Sequence, residues 1–229
     1  MKKEIYILVG PAAIGKTTYL NNIGFPKDKL CLVSRDEVVA DVSLRYNLSF
    51  DDLYHFPPHN ATLGTYIPGF ENYGKVIESP EIVLHLHPFS YQYLNEVNAE
   101  INYRFYNEFN AAIRNPNIDY VIVDRVHLRD YERRIYFEYL EKNRKDFFVT
   151  AVVFNFEDPD TLDIIEQMAE LRKQNLIQSG QRTRTVKRKV QENMIKFYEP
   201  LKLEDGYDAI AKIDTLPGLR KFLLTKAHG

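Results

Sequence analysis

Gly10, Gly15, Lys16 and Thr17 stand in the run GPAAIGKTT at the spacing G-x-x-x-x-G-K-[S/T]. That spacing suits a loop wrapped around an anion: the glycines let the backbone curl until successive N–H groups point inward, and a helix that follows adds its positive amino-terminal end. A lysine at this place neutralises the outer oxygens of a polyphosphate, and the neighbouring hydroxyl is a hard oxygen donor of the kind Mg2+ accepts. The expected nucleotide-binding set is therefore Gly10, Ala13, Gly15, Lys16, Thr17 and Thr18, with Thr17 as the Mg2+ ligand. The alternative is a chance glycine turn before a capped helix.

A phosphate loop needs a buried strand before it and a helix after it, and the sequence supplies both. Short β-branched or aromatic runs predict strands over 4–9, 29–33, 119–123 and 147–154, with a weaker pattern over 209–213. Helical spacing, several times opened by Asp or Thr as a cap, predicts helices over 16–22, 36–46, 91–114, 130–143, 159–177, 185–198 and 217–225. This alternation predicts an α/β fold with a mostly parallel sheet covered by helices on both faces. The 229 residues, 45% of them apolar, suffice for one sizeable core, so a single domain over 1–229 is expected. Residues 47–89 break the rhythm. They are rich in Pro, Gly and aromatics and exceed the roughly 15 residues of an ordinary loop, which predicts an ordered insertion.

Where a bound phosphate would go depends on other residues. The run NRKD at 143–146 departs from a guanine-reading Asn-Lys-x-Asp at its second position and precedes a strand instead of following one. Asp124, at the end of DYVIVD, is followed by Arg125 and not by the second acid common in motor ATPases. Both observations favour transfer to a hydroxyl over hydrolysis. An alcohol must lose its proton as the new P–O bond forms, which calls for a carboxylate within hydrogen-bond reach. Asp36 follows the second predicted strand, and strand ends of a parallel sheet meet at the edge where the phosphate loop lies. Asp36 also suits the cap of the helix beginning beside it, and both roles can coexist.

The segments GPAAIGKTT, VSRDEV, VIVDRVHLRDYERR and RKQNLIQSGQRTRTVKRKVQENMIKFYEPLKLEDGYDAI resemble, in this order, the kinase domain of phage-type polynucleotide 5′-kinases. The likeness covers most of the chain outside 47–89. The loop is common to many enzymes. More specific is the combination of Arg-Asp after the second strand, Asp-x-x-His-Leu with trailing arginines, and a basic stretch before Met-x-x-Phe-x-x-Pro. The resemblance implies a P-loop kinase fold and transfer of the γ-phosphate of ATP to a nucleic acid 5′-hydroxyl end, RNA or DNA, as in nucleic acid repair. It implies Asp36 as general base, Lys16 and Thr17 as ligands of phosphate and Mg2+, and Arg182 or Arg184 as the lid group over the transferring phosphate. Asp124 would orient the metal or the acceptor, although a strand-end acid paired to Arg125 is an equal reading. Arg35 and Arg172 complete the expected substrate contacts. One position departs from the family, whose arginine three residues after the base is here Val39. Arg45, two turns on, would replace it only for a substrate that lies differently.

Independently of the resemblance, Arg172, Lys173, Arg182, Arg184, Lys187, Arg188 and Lys189 crowd a lid region over 172–189 around QSG. Such a basic flap could close over phosphates and stabilise charge on their equatorial oxygens; the alternative for 187–189 is a solvated helix face. Tyr54, Phe56, Tyr66, Phe70 and Tyr73 in the insertion offer faces for unpaired bases, but the scarcity of arginine there favours a small local core. Tyr103, Phe105, Tyr106 and Phe109 read as packing. His55, His59, His85 and His87 lack a cysteine partner, and Pro57 and Pro58 intervene, which argues against zinc. His127 is open between a contact with the acceptor and a role in the turn from strand to helix.

With 30 basic and 32 acidic residues and a net charge of −2, the chain has no general attraction for polyanions, so a nucleic acid would be met by a local patch. The one cysteine, Cys31, cannot pair internally, and neither a leader nor an apolar span of roughly 18 residues is visible. Together these predict an intracellular, cytoplasmic protein without a membrane partner. Two other functions fit the same motifs: a P-loop kinase for a small hydroxyl acceptor such as a nucleoside, sugar or antibiotic, and a non-catalytic ATP-binding module in which Asp36 is only a cap.

Overall fold

The computed structural model describes residues 2–45, 91–178, 186 and 188–227. The expected insertion over 47–89, with its aromatics and histidines, lies outside the described residues, as do Arg182, Arg184 and Lys187. The chain divides into two compact units, Met1–Val33 with Phe109–Gly229 and Ser34–Glu108.

In chain order the elements are β1 (Lys3–Val9), α1 (Lys16–Asn22), β2 (Leu30–Ser34), α2 (Arg35–Arg45), α3 (Tyr91–Arg114), β3 (Tyr120–Asp124), α4 (Asp130–Leu140), β4 (Phe147–Phe154), α5 (Thr161–Gln178), α6 (Arg188–Lys196), β5 (Ala209–Ile213) and α7 (Leu216–Ala227). The strands form one five-stranded sheet in the order β2-β3-β1-β4-β5. β1 pairs in parallel with β3 and β4, and β4 with β5. Successive strand residues face opposite sides, so a strand buried at consecutive residues is covered on both. Ile7, Leu8 and Val9, then Val121, Ile122 and Val123, and Ala151 to Phe154 on β4 are all buried. Crossovers between parallel strands are right-handed, and the step from β1 to β2 runs opposite to those from β3 to β4 and β4 to β5. The connecting helices therefore fall on opposite faces.

The register sets Ile7 beside Val123 and Val9 beside Val153, so β1, β3 and β4 end together at one carboxyl edge. The strand predicted over 209–213 is present in full as an edge strand. The helix expected over 130–143 stops at Leu140 and tightens into 3-10 turns over Glu141–Asp146, with Asn143 out of helical geometry. Arg144 explains the break: its guanidinium donates to Phe147 O, Gly206 O and Asp208, which anchors the turn to the approach to β5. The helix expected from 159 begins at Thr161, because Asp158 accepts from the N–H groups of Asp160 and Thr161 and closes a turn first.

In the unit Ser34–Glu108, α2 buries Val38, Val39 and Val42 on one face, and α3 buries Val97, Ile101 and Phe105 at four-residue spacing. Ion pairs between Arg104 and Asp41, 2.5 Å apart, and between Arg45 and Glu100 tie the two helices. No helix among the described residues is long and apolar enough to cross a membrane.

Candidate active site

The residues between β1 and α1 form a tight loop at the carboxyl edge of the sheet. Its first amide, Gly10 N–H, donates to Val126 O at 3.0 Å. A Cβ on Gly10 would stand 3.1 Å from Phe154 Cβ and 3.2 Å from Ile14 Cγ2, so only glycine fits without displacement. The chain turns through two left-handed residues, Ala13 with φ 62° and Gly15 with φ 95°. Gly15 occupies the N-cap of α1, and no side chain caps that helix. Lys16 Nζ donates to Gly10 O at 3.0 Å and Pro11 O at 2.7 Å, which draws the ammonium back across the loop. Thr17 and Thr18 are exposed on the first turn of α1. A curled backbone with one ammonium over it is suited to a multiply charged anion.

Asp124 ends β3, half-buried, at the same carboxyl edge as Val9. Arg125, its neighbour, donates to Glu132 at 3.1 Å, and the other oxygen of Glu132 accepts from the Arg129 N–H, fixing the entry to α4. The hydroxyl of Thr17 and the carboxylate of Asp124 are hard oxygen donors, and Mg2+ characteristically takes one or two such groups together with phosphate oxygens and water. Among the described residues no group of three His, Cys, Asp or Glu side chains gathers into a metal cage.

His127 follows on the same turn, fully buried and with φ 50°. Its Nδ1 lies 2.7 Å from Leu8 O and its Nε2 2.6 Å from the Tyr136 hydroxyl. A carbonyl only accepts, so Nδ1–H donates to Leu8, and Nε2 accepts from Tyr136 O–H. Burial, and then the positive charge of Arg125, Lys16 and Arg133, hold the imidazole well below its ordinary pKa, against the opposing bond to Leu8 O. His127 is thus a neutral structural ring and the turn reading holds.

No family model and no curated protein sequence matches the chain. Among solved structures, a candidate kinase from Chloroflexus aurantiacus matches over 100% of this chain and 96% of its own, with a TM-score of 0.54 and 13% identity. The likeness is one of fold, an α/β architecture built on a parallel five-stranded sheet. A fungal RNA kinase matches over 98% of this chain and 84% of its own at a TM-score of 0.49 and 14% identity. A structure from the PezAT toxin–antitoxin system of Streptococcus pneumoniae matches over 93% and 69% at 0.48 and 11%. These two likenesses are too weak to support a common fold by themselves.

In the unit Ser34–Glu108, Asp36 is exposed in the first turn of α2 and Arg35, half-buried, opens that helix. The helix starts at Arg35, so Asp36 stands in its first turn. Val39 is 1% exposed, so the place of the family's arginine is a packing position in this chain. Arg45 is engaged by Glu100. Arg172 is exposed on α5 without an ion pair among the described residues. Arg188 is held by Asp163 at 2.6 Å, Glu166 at 2.8 Å and Glu192 at 3.3 Å, and Lys189 by Glu192. That part of the basic run is a charge-paired helix face, as its alternative reading has it.

Two residues escaped the sequence, one that contacts the loop and one that holds the turn after β3. Thr215, after β5, donates through Oγ1 to Ile14 O at 2.5 Å. Arg133, 1% exposed, donates to His127 O at 2.9 Å and Glu199 O at 2.8 Å, joining the turn after β3 to the segment after α6. Thr215 carried no local signal. Arg133 was visible only as one of several arginines after the Asp-x-x-His-Leu run.

Proposed function

We propose that this chain is an ATP-dependent polynucleotide 5′-hydroxyl kinase that moves the γ-phosphate of ATP to a 5′-OH end of RNA or DNA. The observation that carries the phosphotransfer reading is the Gly10–Lys16 geometry: a curled, glycine-dependent backbone with the Lys16 ammonium drawn over it by the carbonyls of Gly10 and Pro11. The acceptor rests on the ordered resemblance of the Asp36, Asp124 and Arg182 segments to polynucleotide kinases. In this reading the acceptor oxygen bonds to the γ-phosphorus as the bond from that phosphorus to the β-phosphate bridging oxygen breaks, ADP leaves, and Asp36 takes the hydroxyl proton. Lys16 and one of Arg182 and Arg184 neutralise charge on the transferring group. Thr17 and Asp124 would hold Mg2+, which supplies charge neutralisation across the phosphates when bound. Arg35 and Arg172 steer the nucleic acid.

The test incubates the full chain and Mg2+ with γ-labelled ATP and, separately, a 5′-hydroxyl oligonucleotide, a mixture of nucleosides, or no acceptor. Label on the oligonucleotide that disappears in Asp36→Asn, while ATP binding is retained, is the expected result. Label only on nucleosides assigns a small acceptor, and label on neither leaves an ATP-binding module. Oligonucleotide binding through several phosphate contacts weakens steeply with added salt, and binding of a neutral nucleoside does not.

A further inference from the structure

Resting on the reading of residues 10–18 as a phosphate loop, we propose that His127 and Thr215 are positioning residues that brace the two ends of this loop from two separate turns, setting its backbone before a triphosphate arrives. At the leading end, His127 Nδ1–H donates to Leu8 O while the adjacent Val126 O accepts from Gly10 N–H. One turn thus grips β1 on both sides of Val9, with a donor before it and an acceptor after it. The ring cannot rotate freely in that grip, because Tyr136 O–H donates to Nε2 and Arg133 holds the carbonyl of His127 itself. At the trailing end, Thr215 Oγ1–H donates to Ile14 O, and its Cβ and Cγ2 lie 3.4 and 3.5 Å from the point a Cβ on Gly15 would occupy. Thr215 is itself rooted at the start of α7: its carbonyl accepts from Leu219 N–H, and Asp214 beside it accepts from Leu216 N–H.

Neither side chain needs to touch the anion to matter. A loop that presents several N–H groups to one ligand binds it well only if those groups already converge, and the cost of ordering them appears directly as lost affinity. Both side chains act on backbone carbonyls, those of Leu8 and Ile14. The side chains of His127 and Thr215 thus take up no N–H group of the loop.

The experiment measures binding of ATP with Mg2+ and of inorganic tripolyphosphate to the full chain by titration calorimetry, alongside thermal unfolding. Thr215→Val keeps the shape and removes the donor; it is expected to weaken both ligands on the order of tenfold, and Thr215→Ser to restore them. His127→Ala is expected to weaken both ligands similarly. His127→Asn, which keeps an N–H close to the Nδ1 position and tolerates the left-handed backbone, is expected to recover most of the affinity. Wild-type affinity for both ligands in Thr215→Val and His127→Ala, whatever their melting temperatures, overturns the proposal. Should His127→Ala fail to fold, the Thr215 pair decides. Tripolyphosphate binding involves no acceptor, so a failed oligonucleotide assay with these results intact faults the acceptor and not the brace. A wild-type chain that binds neither ligand faults the loop reading itself.

Discussion

Lys16 is held across the loop by the carbonyls of Gly10 and Pro11, and in the proposed function its loss has a specific signature. Lys16→Ala is expected to lower kcat/KM for ATP by about two orders of magnitude or more, because in the proposed reaction charge on the transferring group loses its neutralising partner. Steady-state kinetics with a saturating acceptor measure this. His127 predicts a different observable, pH dependence of stability. Its imidazole is neutral when folded, with a pKa well below 6.5, whereas the unfolded chain takes up the proton near that value. Below about pH 6.5 the unfolded state therefore binds more protons, and stability falls with falling pH by up to about 1.4 kcal/mol per pH unit until the folded pKa is reached. Above that window the group contributes no slope. Comparing denaturant unfolding of the native chain and His127→Asn between pH 5 and pH 7 should show this component vanish in the variant.

The basic residues toward the carboxyl terminus divide by the elements that carry them. Arg188 on α6 is bonded to Asp163 and Glu166 of α5, while Lys189 pairs with Glu192 and Lys173 with Glu170 within their own helices, so their charge is matched locally. Arg182 and Arg184 belong to the stretch between those helices. Replacing one of them by alanine is expected to lower turnover by orders of magnitude with the melting temperature unchanged, while Arg188→Ala alters turnover only a few-fold. Turnover and melting measured together separate the two classes, and full activity in both Arg182→Ala and Arg184→Ala removes the lid. The same logic of elements explains α2. A helix that must bury Val38, Val39 and Val42 on one stripe has no room on that face for the arginine that the resemblance to polynucleotide kinases leads one to expect there.

The parallel sheet brings separate parts of the chain to one edge: β1 delivers the loop, β3 delivers Asp124 and the His127 turn, and β5 delivers Thr215. A ligand that binds this edge binds only the folded chain, so it must stabilise it. ATP with Mg2+ at a hundredfold excess over its Kd is expected to raise the unfolding free energy by about 2.7 kcal/mol, a gain that Lys16→Ala should largely remove and that a chelator should diminish. Thermal or denaturant unfolding with and without ligand reads it. With a net charge of −2, attraction to a nucleic acid must come from a local patch and not from the chain's total charge.

Strand β4 and helices α1 and α3 lie on the residues their patterns predict, and the glycine loop before α1 is legible as a run of consecutive residues. These features are local: hydrophobic period, caps and glycine spacing act over a few residues and are written along the chain. The ends of α4 and α5 shifted because Arg144 and Asp158 found partners that the helical period does not encode. The partners of His127 and Thr215 became known only in three dimensions. Leu8 and His127 are 119 positions apart, and Ile14 and Thr215 are 201 apart. Such pairings exist only once parallel strands are ordered side by side, since the sheet order, not the spacing of residues, decides which turns meet beneath the loop.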